Sequence, residues 1–212
     1  YGDWVLPGGG GLGGPQLIGR LALDLVRDRE VFRFAYAPAW LESDSRLAID
    51  PELQLASGSF HGAGNFRAFL DSAPDRWGRL LMRRREAARA RAEGRRPRRL
   101  TELDFLLGVH DAVRQGGLRF KAAPDGPFAD DSGRRAAPPM ASLRRLEHAA
   151  QQVEAEGDAC ATEEMQWLRL LMAPGASLGG ARPKACVADS DGTLWIAKFP
   201  SAHDDHDVGA WE

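Results

Sequence analysis

Cysteine is nearly missing from this chain: Cys160 and Cys186 are the only two in 212 residues. They form neither a CxxC pair nor a metal-ligand spacing, which excludes a cysteine-based metal site and leaves room for one bridge at most. Each is as readily a small buried hydrophobe. No apolar run approaches the roughly 18 to 20 residues of a membrane span, and no apolar signal segment opens the chain. The expectation is therefore a cytoplasmic protein with no membrane contact. Net charge is also lacking, at -2 from 28 basic and 30 acidic residues, which argues against general nucleic-acid affinity. Internal repeats and coiled-coil heptads are absent. Lysine is rarest of all among the cations, three against 25 arginines, at Lys121, Lys184 and Lys198. Where arginine is the default cation, two lysines in one short stretch mark a place that calls for a compact ammonium.

That stretch, Ser177 to Phe199, reads SLGGARPKACVADSDGTLWIAKF. Gly179 and Gly180 tolerate backbone angles closed to other residues and let main-chain N–H groups approach an anion. The apolar run Ala185 to Ala188 and the run Thr193 to Phe199 flank Asp191-Gly192, a hairpin signal. On the second strand, alternation puts Leu194, Ile196 and Lys198 on one face and Trp195, Ala197 and Phe199 on the other. Leu194 and Ile196 would floor an adenine pocket beside the ammonium. Against this stands a plainer reading, in which the glycines only turn the chain and Lys198 snorkels from a sheet edge. The order of Gly-rich loop, hairpin and strand lysine is that of protein kinases. Neither Walker A nor the kinase GxGxxG is present, since Ala181-Arg182 stand where Walker A needs Lys-Ser/Thr.

SLGGARPKA, WIAKFPS and DDHDVGAWE, with SAPDRWGRLLMRRRE and LTELDFLLGVHDAVRQGGLRF upstream, together resemble the HipA-like serine/threonine kinases, the toxins of bacterial toxin-antitoxin pairs. The resemblance runs from about Leu17 to Glu212. It implies an α+β chain, with a HipA-like N-terminal subdomain followed by the β-rich N-lobe of a kinase-like fold. It implies ATP held by Ser177, Leu178, Gly179, Gly180, Ala181, Lys184, Ile196 and Lys198. Mg is implied too, with ligands expected beyond residue 212. Glu212 would pair with Lys198 as the αC glutamate does in kinases. Ser177 matches a loop serine phosphorylated in some members, a candidate off-switch, because about -1.5 to -2 charges in a phosphate loop repel nucleotide. The implied partners are a HipB-like helix-turn-helix antitoxin, operator DNA reached through that complex, and a protein substrate such as an aminoacyl-tRNA synthetase.

The expected organisation is a flexible Gly-rich leader over 1–16, the N-terminal subdomain over 17–125, a Pro- and Gly-rich linker over 126–139, and the start of the kinase-like domain over 140–212. A hairpin is expected around Arg27-Asp28-Arg29, and mixed loop and short strand over 39–55. A helix should run from Pro74, with Ser72 as N-cap, to about Ala92. Thr101-x-x-Asp104 should cap a short helix, and a strand is expected over 116–120. Helices are expected over 140–156, with a core-facing stripe at Leu143, Leu146, Ala149, Ala150 and Val153, and from Thr162 to before Pro174.

Three other features invite function. Eleven arginines between Arg76 and Arg99 read either as a phosphate-contacting patch or, preferably, as a solvated helix face with a basic tail. His110-Asp111 reads as a turn rather than an acid/base pair. His203-Asp204-Asp205-His206-Asp207 reads as a polar loop rather than a metal site, with Asp207 capping a helix from Val208.

A kinase also needs metal ligands and a residue that orients the attacking hydroxyl. No HRD-like loop with its Asn and no DFG-like aspartate occurs in this sequence. The chain opens on Tyr1 rather than Met and stops at Glu212 as a helix begins, so both ends are expected to be cut. The expectation is a parent toxin kinase of which these residues alone are inactive. Alternatives are a catalytically silent nucleotide- or partner-binding module, half of a split toxin, or a basic nucleic-acid-binding domain using Arg83 to Arg99.

Overall fold

A computed structural model describes residues 1–4, 11–129, 137–155, 161–175, 180–201 and 204. Its elements are mixed α and β. Strands β1 (Gly19–Val26) and β2 (Arg29–Tyr36) form an antiparallel hairpin, and β3 (Phe60–Gly62) adds to β2, giving the order β1-β2-β3. The turn is two residues long, Arg27 and Asp28, with φ of 51° and 61°. Positive φ at both positions gives a turn whose twist matches that of the flanking strands, though non-glycine residues adopt it at a cost.

Alternation along β2 points Phe32, Phe34 and Tyr36 inward, and all three are buried. Helix α1 (Pro38–Glu42) starts on a proline, whose missing N–H costs nothing at that position. It buries Trp40, which packs edge-to-face with Trp4. The Tyr36 hydroxyl donates to Leu53 O at 2.6 Å and accepts from Ile49 N at 3.2 Å. Buried Asp50 accepts from Glu52 N and Ala68 N. Those two side chains organise the connection to α2 (Arg67–Leu70), where regular hydrogen-bonding elements are short. Phe66 and Phe69 complete this aromatic core.

Helix α3 (Arg76–Ala92) follows, then α4 (Glu102–Leu107), which has a full capping box between Thr101 and Asp104. Arg114 donates to Ser72 O, Leu106 O and Val109 O, tying the end of α4 to the segment before α3. After a short 3-10 turn come α5 (Leu143–Glu154), α6 (Ala161–Gly175) and the antiparallel pair β4 (Lys184–Ala188) and β5 (Leu194–Lys198). The second core joins Trp77, Leu81, Met82 and Ala88 of α3 to Leu146, Ala149 and Val153 of α5, Leu168 and Leu171 of α6, and Ala185 and Val187 of β4.

Several expectations change. The segment expected as a loose leader is tied into the fold where it is described: Gly2 bridges both Gln16 and Leu118, and Leu12 is buried. Trp4 and Leu12 supply apolar surface that composition weighted by glycine understated. Residues 116–120 make that single bridge at Leu118 rather than a strand. The α3 cap is Asp75, whose Oδ1 accepts from Arg76 N, not Ser72, which is buried three residues earlier. The second core draws on both sides of residue 125, since α3 packs with α5, α6 and β4. Among the described residues the second sheet has two strands.

Candidate functional site: the Gly180 loop and the lysine hairpin

Strand register sets the site. Lys184 lies directly opposite Lys198, Cys186 opposite Ile196 and Ala188 opposite Leu194, so these six share one face of the hairpin. On the other face Ala185 and Val187 are sunk into the second core, with Ala197 packed against it. Two like charges directly opposite each other are unfavourable in a sheet by themselves, and here they concentrate positive charge at the open end of the hairpin. Lys184 is buried, and burial pushes its pKa down. The Asp75 carboxylate opposes that shift, and the Lys198 charge adds to it.

Gly180 stands at φ 92°, in the left-handed region that favours glycine. A Cβ there would sit 2.6 Å from Lys184 Nζ. The backbone angle calls for glycine, and a side chain there would also displace the Lys184 ammonium from its place against the loop.

The N-terminus of α3 holds this loop at both ends. Gly180 N donates to Asp75 Oδ2 at 2.6 Å, and Trp77 N donates to Gly180 O at 3.2 Å. The indole Nε1 of Trp77, which is fully buried, donates to Lys184 O at 2.9 Å. The last two bonds satisfy an otherwise orphaned N–H of the first helical turn and a buried indole. The hydrogen bond from Gly180 holds the Asp75 carboxyl below its usual range, ahead of the cation effects of Lys184 and Arg76. On the far side, Phe199 N donates to Pro183 O, Arg182 pairs with Asp204 at 3.2 Å, and Asp204 accepts from Ser201 N.

Of the sequence-derived site residues, the structure brings together Gly180, Lys184 and Lys198, with Ala181 in the same loop. Ile196 shares the lysine face but is 55% exposed, as are Leu194 and Trp195 to a similar degree, so no closed adenine floor forms among the described residues. Ser177, Leu178, Gly179 and Glu212 lie outside the described residues, as do His203, Asp205, His206 and Asp207. Asp204, inside them, is committed to Arg182 and Ser201. Among the described residues no group of three or more His, Cys, Asp or Glu side chains can hold a metal ion. Two ammonium groups beside a glycine turn suit a polyphosphate chain; Mg finds no donor set of that size here.

Sequence reading missed Asp75 and Trp77. The local signal was present, since Asp before a helix is a good N-cap, but the partner of that cap lies 105 positions away.

The arginine-rich stretch resolves differently. Arg79 makes a bidentate pair with Glu102 at 2.6 and 2.7 Å, and Arg98 another with Asp104 at 2.8 Å. Arg95 meets Glu86 at 2.5 Å, and Arg91 pairs with Glu164. Arg79 and Arg83 both lie over the Phe105 ring. Two surface cavities of about 380 and 360 Å³ run along this flank of α3. Both are lined by Glu86 and Arg98, so they are mixed-charge grooves, remote from the lysine hairpin. His110 and Asp111 do not act together either: His110 Nδ1 accepts from Ala112 N, while Asp111 pairs with Arg119.

Residues 14–108 match the family model described as the HipA N-terminal domain. No curated protein and no solved structure matches the chain.

Proposed function

From the match of residues 14–108 to the HipA N-terminal domain, we propose that this chain is the nucleotide-holding part of an ATP-dependent serine/threonine kinase that serves as the toxin of a toxin-antitoxin pair. The observation that carries this reading is the pairing of Lys184 with Lys198 beside Gly180, held in place by Asp75 and Trp77. When bound, ATP supplies the transferable phosphoryl group. The two ammoniums neutralise its phosphate oxygens, each worth about 4 kcal/mol at 4 Å under an effective dielectric near 20, before the cost of desolvation. Gly180 keeps side chains out of the way.

Ser177, in the adjoining loop, is the proposed phosphorylation switch. The proposed partners are a helix-turn-helix antitoxin, operator DNA through that complex, and an aminoacyl-tRNA synthetase as substrate. A second reading, a catalytically silent nucleotide- or partner-binding module, is favoured by the exposure of Leu194, Trp195 and Ile196 on β5, which offers apolar surface to a partner.

Calorimetric titration of this chain with MgATP tests the binding both readings share. Micromolar-range binding that weakens at least about tenfold in Lys198→Ala and in Lys184→Ala, about 1.4 kcal/mol each, is the expected result. Absence of heat with the wild-type chain overturns the nucleotide reading. Phosphate transfer to a protein substrate by this chain would overturn its assignment as inactive alone.

A further inference from the structure

Strand β1 is an edge. In the order β1-β2-β3 it pairs only with β2, and the two-residue turn after Val26 makes Val26 and Arg29 a hydrogen-bonded pair. Counting back, Asp24, Ala22 and Arg20 also direct their backbone groups to β2. The N–H and C=O groups of Gly19, Leu21, Leu23 and Leu25 therefore point outward, to no strand among the described residues. Such an edge is a template for another chain. Leu25 is 67% and Val26 52% exposed at its end, and Arg20 and Asp24 are exposed on the face turned away from the aromatic core. The only ion pair described for either is Asp24 with Arg33, at 3.4 Å and open to solvent.

We propose that β1 pairs antiparallel with β1 of a second copy of this chain, about a two-fold axis through Ala22. An isologous contact must be self-complementary, and this register is. Leu21 meets Leu23 of the second copy as a hydrogen-bonded pair, using the outward backbone groups of both. Arg20 then stands opposite Asp24 of the second copy, and Asp24 opposite Arg20, as non-hydrogen-bonded pairs whose side chains are closest. Leu25 is laid beside Gly19, covering the most exposed leucine among the described residues. Neighbouring registers are worse for a stated reason. A shift of the pairing by two residues either way loses both ion pairs, and a shift by four sets Arg20 against Arg20 or Asp24 against Asp24. Odd shifts bring outward groups against groups already bonded to β2. The result is a continuous six-stranded sheet with both aromatic cores on one side.

Sedimentation of the 212-residue chain over a concentration series tests this, with circular dichroism to confirm folding. A concentration-dependent dimer that weakens with salt is expected. Arg20→Asp and Asp24→Arg should each weaken it at least about tenfold, because each sets two like-charged pairs across the axis. An equimolar mixture of the two variants should dimerise again, since one chain then presents Asp at both positions and the other Arg at both. Should either variant misfold, Leu23→Pro, which removes an outward N–H from an edge strand, gives the same readout by another route. A wild-type monomer at every concentration overturns the proposal, as does a dimer indifferent to these substitutions.

Discussion

The two cores of this chain differ in material and in how they are cut from the sequence. The first is aromatic, with Phe34 edge-to-face on Tyr36 and tilted on Phe69, and Phe66 on Phe69. Apart from Leu106, its buried members run from Leu12 to Phe69. The second is mainly aliphatic, built of Leu, Met, Ala and Val with Trp77, Phe105 and Phe199, and it gathers three separated stretches, Trp77 to Val109, Leu146 to Met172 and Ala185 to Phe199. A hairpin and its immediate neighbours can assemble the first with short loops to close. The second forms only when distant segments meet, so its closure entropy is larger and its members are harder to foresee. The Gly180 loop belongs to the second. Its geometry depends on a helix that, in chain order, lies inside the matched N-terminal domain.

The strongest way to break that comparison is to remove the buried indole of the second core. Trp77→Ala should cost about 3–5 kcal/mol as a buried large-to-small change, compounded by the Lys184 carbonyl left without its donor. Hydrogen exchange should then show β4, β5 and α6 losing protection while β1 and β2 keep theirs. Trp40→Ala, of similar cost, should do the reverse. If either change releases both cores together, they are one cooperative unit.

A smaller effect sharpens the role of the arginines. Hydrogen bonds from Arg95 and from Arg98 N hold the Glu86 carboxyl down at about 2, and the Arg98 pair holds Asp104 at about 2. Both folded values lie below the ordinary ones of 4.5 and 3.8. Their contribution is therefore complete above about pH 5 and is lost as pH falls through the ordinary values toward 2. Thermal melts across that range should show stability falling with acid. Glu86→Gln should lower stability at pH 7 by about 1–2 kcal/mol and flatten the acid slope. An unchanged slope would mean the tail from Gly94 to Leu100 is not held by Glu86.

The smallest effect concerns the first core alone. Replacing Arg27-Asp28 by Asn-Gly relieves two positive-φ residues and should raise stability by up to about 1 kcal/mol. The gain should appear in urea unfolding as a higher midpoint with unchanged slope.

Much of the local structure is legible in the residues. Period-2 alternation at Phe32, Phe34 and Tyr36 marks β2, the stripe from Leu146 to Val153 marks α5, and Thr101 with Asp104 marks the start of α4. The capping box is visible because all its partners lie within four residues. Arg114 is opaque by the same rule: nothing near it in sequence says that its guanidinium will bridge Ser72 O and Leu106 O. For the candidate site, the glycine and the lysines could be singled out by rarity and spacing, and the hairpin turn by Asp-Gly. The exposure of Ile196 could not, since alternation assigns a face but not what covers it.

By itself, then, the sequence determined most of the elements, the strand faces and the match of residues 14–108 to the HipA N-terminal domain, because propensity, periodicity and motif are properties of neighbours along the chain. Tertiary structure alone decided that Asp75 and Trp77 hold the lysine loop, that four arginines of the basic stretch spend their charge on carboxylates, and that α3 leaves its own domain's core for the other. All but the Arg95–Glu86 and Arg98–Asp104 pairs are contacts between residues far apart in sequence, made favourable by burial and pairing that no local window contains.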